Sequence, residues 1–231
     1  MGKNASKTRP PAKRSKPGRV ERSGNAVPYA QAPLPTERGT FMCHVFRDKR
    51  DGSEHVALVI GDVAGREGVA VRVHSECLTS EVLGSLKCDC AEQLERGLDT
   101  MVAAGHGVLV YLRQEGRGIG LGNKIRAYAL QAQGADTYAA NRALGLPDDL
   151  RRYDVAADIL RALNVRSVDL ITNNPLKIAG LVDAGIPVRR RVPALAAATP
   201  HNINYLKVKR DRTGHLLDIL RDDDDSGAKA G

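Results

Sequence analysis

The sequence predicts a mixed α/β (α+β) fold, a single domain with a central mixed sheet and flanking helices, and three observations lead to this prediction. The back half alternates helix, strand, helix and strand between residues 155 and 190, which is typical of parallel α/β units. The front half contains short apolar runs separated by glycines, which favours a mixed or antiparallel region. Residues 32–220 show no internal repeat and no long linker, so one domain is the simplest interpretation.

The front half supplies the first predicted elements. Two apolar runs, Val56–Ile60 and Val69–Val73, flank a pair of glycines and are predicted to be paired strands. Asp89 is a candidate N-cap for a helix over Ala91–Ala104 that ends at Gly105. The later predicted elements are the strand Gly107–Leu112, the helix Asn123–Gln133, the helix Val155–Leu163, the strand Val168–Thr172, the helix Leu176–Asp183 and the strand Ile186–Arg190.

Composition restricts the class of protein. Hydrophobic residues make up 42% of the 231 residues, which is enough for a folded core. Aromatic residues contribute only 3% and tryptophan is absent, so the core must be aliphatic. No apolar run reaches the ~18 residues of a membrane span. The N-terminus also lacks an apolar leader, so we expect a cytoplasmic protein with no membrane partner.

The net charge of +8 is concentrated in one segment. Residues 1–31 are rich in lysine, arginine, proline and glycine and poor in bulky aliphatic side chains, so they are predicted to be a disordered basic tail. Residues 221–231, with four consecutive aspartates, are predicted to be a disordered acidic tail. The remaining domain, residues 32–220, is only mildly basic, and nothing in it requires a nucleic-acid partner.

Three of the four cysteines form a cluster with metal-ligand spacing. Cys88 and Cys90 are alternate residues, so both side chains of an extended segment can reach one ion, and Cys77 can approach from the other side. Three thiolates without a fourth ligand at a usual spacing are typical of an open, catalytic zinc site. Buried reduced cysteines and a structural zinc completed by a distant residue are the alternatives. His74 lies nearby, but a single histidine is usually a satisfied core residue.

A glycine-rich junction follows the predicted strand Gly107–Leu112. Glycines let the backbone of Glu115–Gly120 approach a ligand closely, and the start of the next helix attracts anions. Arg113, Arg117, Lys124 and Arg126 add capacity to bind phosphate. An ordinary turn with a solvated basic face is the alternative interpretation.

A second strand end carries polar residues. Thr172 ends a predicted strand, and Lys177 lies one turn into the following helix. Ligands bind at the carboxyl ends of strands in α/β sheets, so a hydroxyl and an ammonium here suit an anionic ligand. A capped loop in which Asn173 and Asn174 are turn residues is the alternative.

Together, these segments resemble the GTP cyclohydrolase II family of riboflavin biosynthesis. The resemblance covers about Leu34–Leu217 and is carried by the stretches RVHSECLT (72–79), SLKCDC (85–90), RQEGRGIGL (113–121), NKIRAYALQ (123–131) and TNNPLK (172–177). Because the tail is too short for the dihydroxybutanone-phosphate synthase domain often fused to this family, we expect the monofunctional form.

The resemblance implies roles for individual residues. Cys77, Cys88 and Cys90 match the family's zinc ligands. The positions that match its GTP-contacting residues are Arg72, Val73, His74, Ser75, Glu76, Gln93, Glu115, Gly116, Arg117, Thr137, Thr172 and Lys177.

Three further positions match the catalytic machinery of the family. Tyr128 matches its active-site tyrosine, and Asp149 and Arg151 match its proton acceptor and nucleophile. Asp148 and Arg152 compete for the last two matches. A guanidinium is a poor nucleophile, so Arg151 as a clamp on phosphate charge is the alternative role.

The resemblance implies a zinc-dependent hydrolase that opens the imidazole ring of GTP and releases formate and pyrophosphate, giving 2,5-diamino-6-(5-phosphoribosylamino)pyrimidin-4(3H)-one. One Zn²⁺ per subunit, Mg²⁺ with the triphosphate and a homodimer are further implications. Two alternatives stay open: a variant that retains the formyl group, and a non-catalytic regulator that binds nucleotide or nucleic acid.

Overall fold

An antiparallel meander forms one side of the sheet. The computed structural model describes residues 24–134, 137–194, 199 and 202–217. Strands β1 (Ala26–Thr36), β2 (Gly39–Asp48) and β3 (Glu54–Ile60) pair in sequence order through two tight connections. The sequence predicted only the third of these strands. Because most residues of β1 are exposed, its sequence has no apolar pattern that would predict a strand.

The strands in the rest of the sheet pair in parallel. The remaining strands are β4 (Val69–Ser75), β5 (Gly107–Leu112), β6 (Val168–Ile171) and β7 (Val188–Val192). The seven strands lie in the order β1-β2-β3-β5-β4-β6-β7, with β5 antiparallel to β3 and parallel to β4. The predicted mixed sheet with an antiparallel front half is therefore confirmed.

One predicted pairing is wrong. The runs Val56–Ile60 and Val69–Val73 are both strands, but β5 lies between them and hydrogen-bonds to each. The helix that follows β4 carries the chain back across the sheet, so β5 enters parallel to β4 and fills the position beside β3. Proximity in sequence alone does not reveal such a crossover.

The helices flank the sheet. They are α1 (Leu78–Glu81), α2 (Cys90–Ala104), α3 (Leu121–Ala132), α4 (Thr137–Ala143), α5 (Asp154–Ala162), α6 (Pro175–Asp183) and α7 (Ile203–Thr213). The predicted helices correspond to α2, α3, α5 and α6 within one or two residues. Pro175 occupies the first turn of α6, and the Asn174 side chain caps it by accepting from the Leu176 N–H.

Strand alternation places the core on one face and polar groups on the other. Val69, Val71 and Val73 point into the main core, which α5 and α6 cover. Arg72 and His74, which alternate with these valines along the strand, therefore share the opposite face with α2. Both are buried, so the carboxyl end of β4 carries two charged or titratable groups beneath a helix.

The start of the folded domain needs correction. Residues 26–31 lie in β1 and pair with β2, so the domain begins before the predicted residue 32. Backbone hydrogen bonds hold this strand, and a composition-based boundary does not detect them. Of the predicted tails, residues 1–23 and 221–231 lie outside the described residues. Within the described ranges, no helix is long and apolar enough to cross a membrane.

Candidate active site

Three cysteines converge where β4 ends and α2 begins. Cys77 follows β4, and Cys88 and Cys90 lie at the start of α2. The three Sγ atoms lie within 4.8 Å of one another, and those of Cys77 and Cys88 are 3.6 Å apart. A tetrahedral zinc with Zn–S bonds of about 2.3 Å separates two sulfurs by about 3.8 Å. The donor set and spacing therefore fit a zinc ion.

The surroundings of the cluster shift the pKa values of its thiols in opposite directions. The pKa of the Cys77 thiol is lowered, because hydrogen bonds from Cys88 and Cys90 stabilise its thiolate and Lys124 adds positive charge. The Lys124 Nζ atom lies 3.2 Å from the Cys77 sulfur. The pKa of Cys90 is raised by the same thiol contacts and by burial. Metal binding would therefore displace protons from the cluster.

The glycine-rich junction forms one wall of this site. Residues Glu115–Gly118 make a tight turn in which Gly116 and Arg117 have left-handed backbone conformations, with φ angles of 62° and 60°. A non-glycine residue there costs about 1–3 kcal/mol and is usually held by its surroundings. The Glu115 carboxylate accepts from the Leu78 N–H at 2.7 Å and from Lys124 at 2.8 Å. The turn is thereby fixed against the segment that follows Cys77.

A first cavity lies over the cysteine cluster. It contains about 650 Å³ of empty space, part of it open to solvent. Besides the three cysteines, it is lined by Glu115, Arg117, Lys124, Tyr128 and Ile119, among others. Burial raises the pKa of Tyr128, so its hydroxyl stays protonated at neutral pH and can donate a hydrogen bond.

A second cavity adjoins the first and is strongly cationic. It contains about 480 Å³ and is lined by Arg72, Arg151, Lys177 and Lys209 together with Thr172 and Asn174. Two buried donors, Arg72 Nε and Asn174 Nδ2, have no hydrogen-bond partner among the described residues. Four residues line both cavities: Ser75, Cys90, Arg151 and Tyr205. One elongated ligand could therefore occupy both.

Lys177 is buried in this cationic surrounding. Its Nζ atom donates to the Val73 carbonyl at 2.8 Å. Burial, and then the charges of Arg72 and Arg151, hold the pKa of Lys177 well below its usual value. An anion bound here would stabilise the charged form of Lys177.

Arg72 reaches the second cavity beneath α2. A Cβ atom at Gly97 would lie 2.9 Å from its Cδ, so glycine at that helical position makes room for it. The guanidinium donates to the Ile171 carbonyl and to Gln93. Its pKa is lowered to about 10 by burial, so it stays charged at neutral pH.

Arg151 and Asp149 form a two-pronged ion pair. Both carboxylate oxygens of Asp149 accept from the guanidinium of Arg151, at distances from 2.5 to 3.0 Å. Burial would lower the pKa of Arg151, but Asp149 outweighs it and the net pKa is raised. This guanidinium therefore stays protonated.

His74 belongs to a buried polar network. Its Nε2 lies 2.7 Å from a Glu81 oxygen, and the Tyr111 hydroxyl donates to the other oxygen at 2.6 Å. Burial lowers the pKa of His74 to about 4, so the ring is neutral at pH 7. The network fixes the imidazole at the edge of the second cavity.

The structure brings most of the predicted site residues together. The predicted residues that line one or both cavities are Arg72, His74, Ser75, Glu76, Cys77, Cys88, Cys90, Gln93, Glu115, Gly116, Arg117, Tyr128, Arg151, Thr172 and Lys177. Asp149 joins them through Arg151. Val73 offers only its carbonyl, because its side chain lies in the core. Thr137 begins α4, and its side chain lies outside the described residues.

Two residues near the glycine-rich junction do not join the site. Arg113 pairs with Glu76 at the surface and is 57% exposed, and Arg126 is also exposed. The sequence patterns do not reveal the residues that the C-terminal segment contributes, namely Tyr205, Lys209 and His215. Tyr205 and Lys209 lie four positions apart, which is helical spacing, but no chemical motif marked them.

Comparison with known proteins gives consistent matches. Residues 28–193 match the sequence model of the family described as GTP cyclohydrolase II. A GTP cyclohydrolase-2 from Aeromonas hydrophila subsp. hydrophila is 51% identical over 188 residues, covering 81% of this chain and 95% of that protein. A GTP cyclohydrolase-2 from Picrophilus torridus is 48% identical over 189 residues, covering 82% and 98%.

Longer relatives match over the same region. The riboflavin biosynthesis protein RibBA of Bacillus subtilis is 56% identical over 185 residues, covering 80% of this chain and 46% of that protein. The chain therefore spans about half the length of this relative.

Proposed function

Because the chain belongs to the GTP cyclohydrolase II family, we propose that it hydrolyses GTP in riboflavin biosynthesis. The reaction opens the imidazole ring of guanine and releases formate and pyrophosphate, which gives 2,5-diamino-6-(5-phosphoribosylamino)pyrimidin-4(3H)-one. The observation that carries the proposal is the pair of adjoining cavities. One contains a zinc-compatible cysteine cluster and the other contains four basic side chains.

The first cavity suits the base. Cys77, Cys88 and Cys90 would hold one Zn²⁺ per subunit, which when bound lowers the pKa of a water molecule and polarises the reacting centre. The protonated hydroxyl of Tyr128 can donate to the purine and orient it. Glu115 and Lys124 fix the wall that the glycine-rich turn forms, and Ile119 adds an apolar surface beside the base.

The second cavity suits the triphosphate. Arg72 and Lys177 are buried, so phosphate oxygens bound to them would be shielded from solvent. Thr172 and Asn174 add polar groups at the same strand end. We propose that Mg²⁺ accompanies the triphosphate, since it binds phosphate oxygens and keeps much of its water shell.

For Arg151 we propose the role of a phosphate clamp. A nucleophilic guanidinium would have to lose its proton, and the ion pair with Asp149 opposes that loss by raising its pKa. The charged group lies at the junction of the two cavities. It can therefore stabilise charge that develops as pyrophosphate leaves. Asp149 orients the guanidinium.

A second copy of the chain is a further part of the proposal. β1 is an edge strand of the described sheet, and Tyr29, Leu34 and Met42 on β1 and β2 are 56%, 43% and 38% exposed, so a second copy could cover this edge. Sedimentation equilibrium measures this directly. A monomer at every concentration would contradict it.

Product analysis tests the proposed reaction. We expect the purified chain, supplied with Zn²⁺, Mg²⁺ and GTP, to release formate and pyrophosphate in equal amounts. Mass spectrometry of the nucleotide product separates complete deformylation from ring opening that retains the formyl group. A zinc-loaded protein that binds GTP and releases neither product would contradict the proposed reaction and favour a non-catalytic regulator.

A further inference from the structure

The C-terminal helix α7 contributes a buried lysine to the cysteine site. Lys209 is only 7% exposed and Asp89 only 3%. The Lys209 Nζ atom lies 2.5 Å from the Asp89 Oδ1. Asp89 is the residue between Cys88 and Cys90. The helix lies beyond residue 193, where the match to the family model ends, and no sequence motif marks it.

Asp89 is not used as its position in the chain would suggest. It occupies the N-cap of α2, but its side chain makes no capping hydrogen bond. Its two oxygens accept instead from Lys209 and from Gln93 Nε2, the latter at 2.5 Å. Gln93 in turn accepts from Arg72 at 2.8 Å. A continuous chain of hydrogen bonds therefore links α7, the cysteine segment and β4.

Several contacts hold Lys209 in place. The Leu216 N–H donates to the Asn173 carbonyl at 2.9 Å, which fastens the segment after α7 to the loop before α6. Leu206 and Leu217 bury each other in a small apolar cluster. The Lys209 ammonium lies 4.5 Å from the centre of the Tyr205 ring. The lysine is therefore positioned by the docking of α7 as a whole.

We infer that Lys209 is a positioning residue for the metal site, and that it acts by holding Asp89 so that Cys88 and Cys90 present their sulfurs to one ion. The carboxylate of Asp89 cannot be buried beside two thiols without a cation, because an unpaired buried charge is strongly destabilising. Without Lys209, the Asp89 carboxylate would turn toward solvent, and the adjacent Cys88 and Cys90 would move with it. The inference rests on the proposed zinc site but not on the identity of the substrate.

Zinc release tests this inference. The zinc-loaded full-length protein is mixed with a chromogenic chelator, and the rate of release is compared among the wild type, Lys209→Met and Lys207→Met. Lys207 lies on the same helix but is exposed, so it is the matched control. We expect Lys209→Met to release zinc about tenfold faster, the usual lower range for the loss of an outer-shell partner. A release rate equal to that of Lys207→Met would overturn the inference.

A double-mutant cycle separates positioning from general helix docking. If Lys209 acts through Asp89, Asp89→Asn should also speed zinc release, and adding Lys209→Met should increase the rate little further. Additive effects would contradict this route. Lys209→Arg keeps the charge and should restore most of the zinc retention. If Lys209→Met does not fold, Asp89→Asn and Lys209→Arg still report on the same contact.

The outcomes distinguish this inference from the proposed function. A wild-type chain that holds no zinc would overturn both. A chain that holds zinc but leaves GTP intact would overturn the proposed reaction alone, since the release rates are measured without substrate. Normal turnover with equal release rates in all variants would overturn only the role of Lys209.

Discussion

The ammonium of Lys124 lies 3.2 Å from the sulfur of Cys77 and 2.8 Å from Glu115. One side chain therefore joins the cysteine cluster to the glycine-rich turn. Burial would lower the pKa of Lys124, but the hydrogen bond to Glu115 and the charge of Cys77 outweigh it and the pKa is raised. The ammonium stays charged and offsets part of the negative charge of three thiolates.

Replacing Lys124 should weaken the metal site. In Lys124→Gln the Cys77 thiolate loses its cation, so we expect zinc affinity to fall about tenfold, as is typical when an outer-shell partner of a ligand is removed. Competition with a chromogenic chelator measures the affinity. Arg126→Gln, at an exposed position of the same helix, is the control. Equal affinities for the two variants would show that Lys124 does not support the cluster.

Replacing Lys177 should stabilise the fold but weaken the binding of GTP. Its buried ammonium has a lowered pKa and lies near Arg72 and Arg151, so Lys177→Met should raise the free energy of unfolding, measured without nucleotide, by about 1 kcal/mol or more. The same change removes a proposed phosphate contact, so the KM for GTP should rise while zinc affinity is unchanged. Urea unfolding and steady-state kinetics check both. A less stable variant with an unaltered KM would contradict this account of Lys177.

The clamp role of Arg151 has a covalent test. A nucleophilic arginine would form a nucleotidyl adduct, whereas a protonated guanidinium held by Asp149 only binds phosphate. Rapid-quench mass spectrometry of the intact protein during turnover should therefore show the unmodified mass at every time point. Arg151→Lys keeps the charge but not the two-pronged geometry, and we expect reduced yet measurable turnover. An adduct that maps to Arg151 would establish the nucleophile instead.

His74 should make the fold sensitive to acid. Its pKa is lowered from 6.5 to about 4, chiefly by burial. Between these values the unfolded chain binds more protons than the folded chain, so stability decreases as pH falls through this window. His74→Gln, which cannot titrate, should lose less stability between pH 7 and pH 5. Urea unfolding in the presence of a chelator measures this, and equal losses for both proteins would refute it.

The sequence predicts the part of the fold that depends on local patterns. Apolar runs identified β3, β4, β5 and β6, Gly105 marked the end of α2, and Pro175 marked the start of α6. The strand β1 was missed because it is held by backbone pairing along an exposed edge. The position of β5 between β3 and β4 was missed because a crossover is set by tertiary packing.

The site shows a similar division. Spacing alone suggested that Cys77, Cys88 and Cys90 could share an ion, and the three sulfurs do converge. The roles of Lys209 and Tyr205 could not be predicted, because they depend on where the C-terminal segment docks more than a hundred residues after the cysteines. The position of Asp89 predicted a helix cap, but its carboxylate accepts a hydrogen bond from the buried Lys209 instead.

We propose that the cysteine cluster holds the zinc ion that GTP hydrolysis requires. The most direct measurement follows formate released from [8-¹³C]GTP by ¹³C NMR, together with zinc content, in the wild type, Cys88→Ser and Cys43→Ser. Cys43 lies on β2 away from the cluster, so it controls for the loss of a thiol. We predict labelled formate and one bound zinc per chain in the wild type and Cys43→Ser, and neither in Cys88→Ser. Undiminished formate release by zinc-depleted Cys88→Ser would contradict the account.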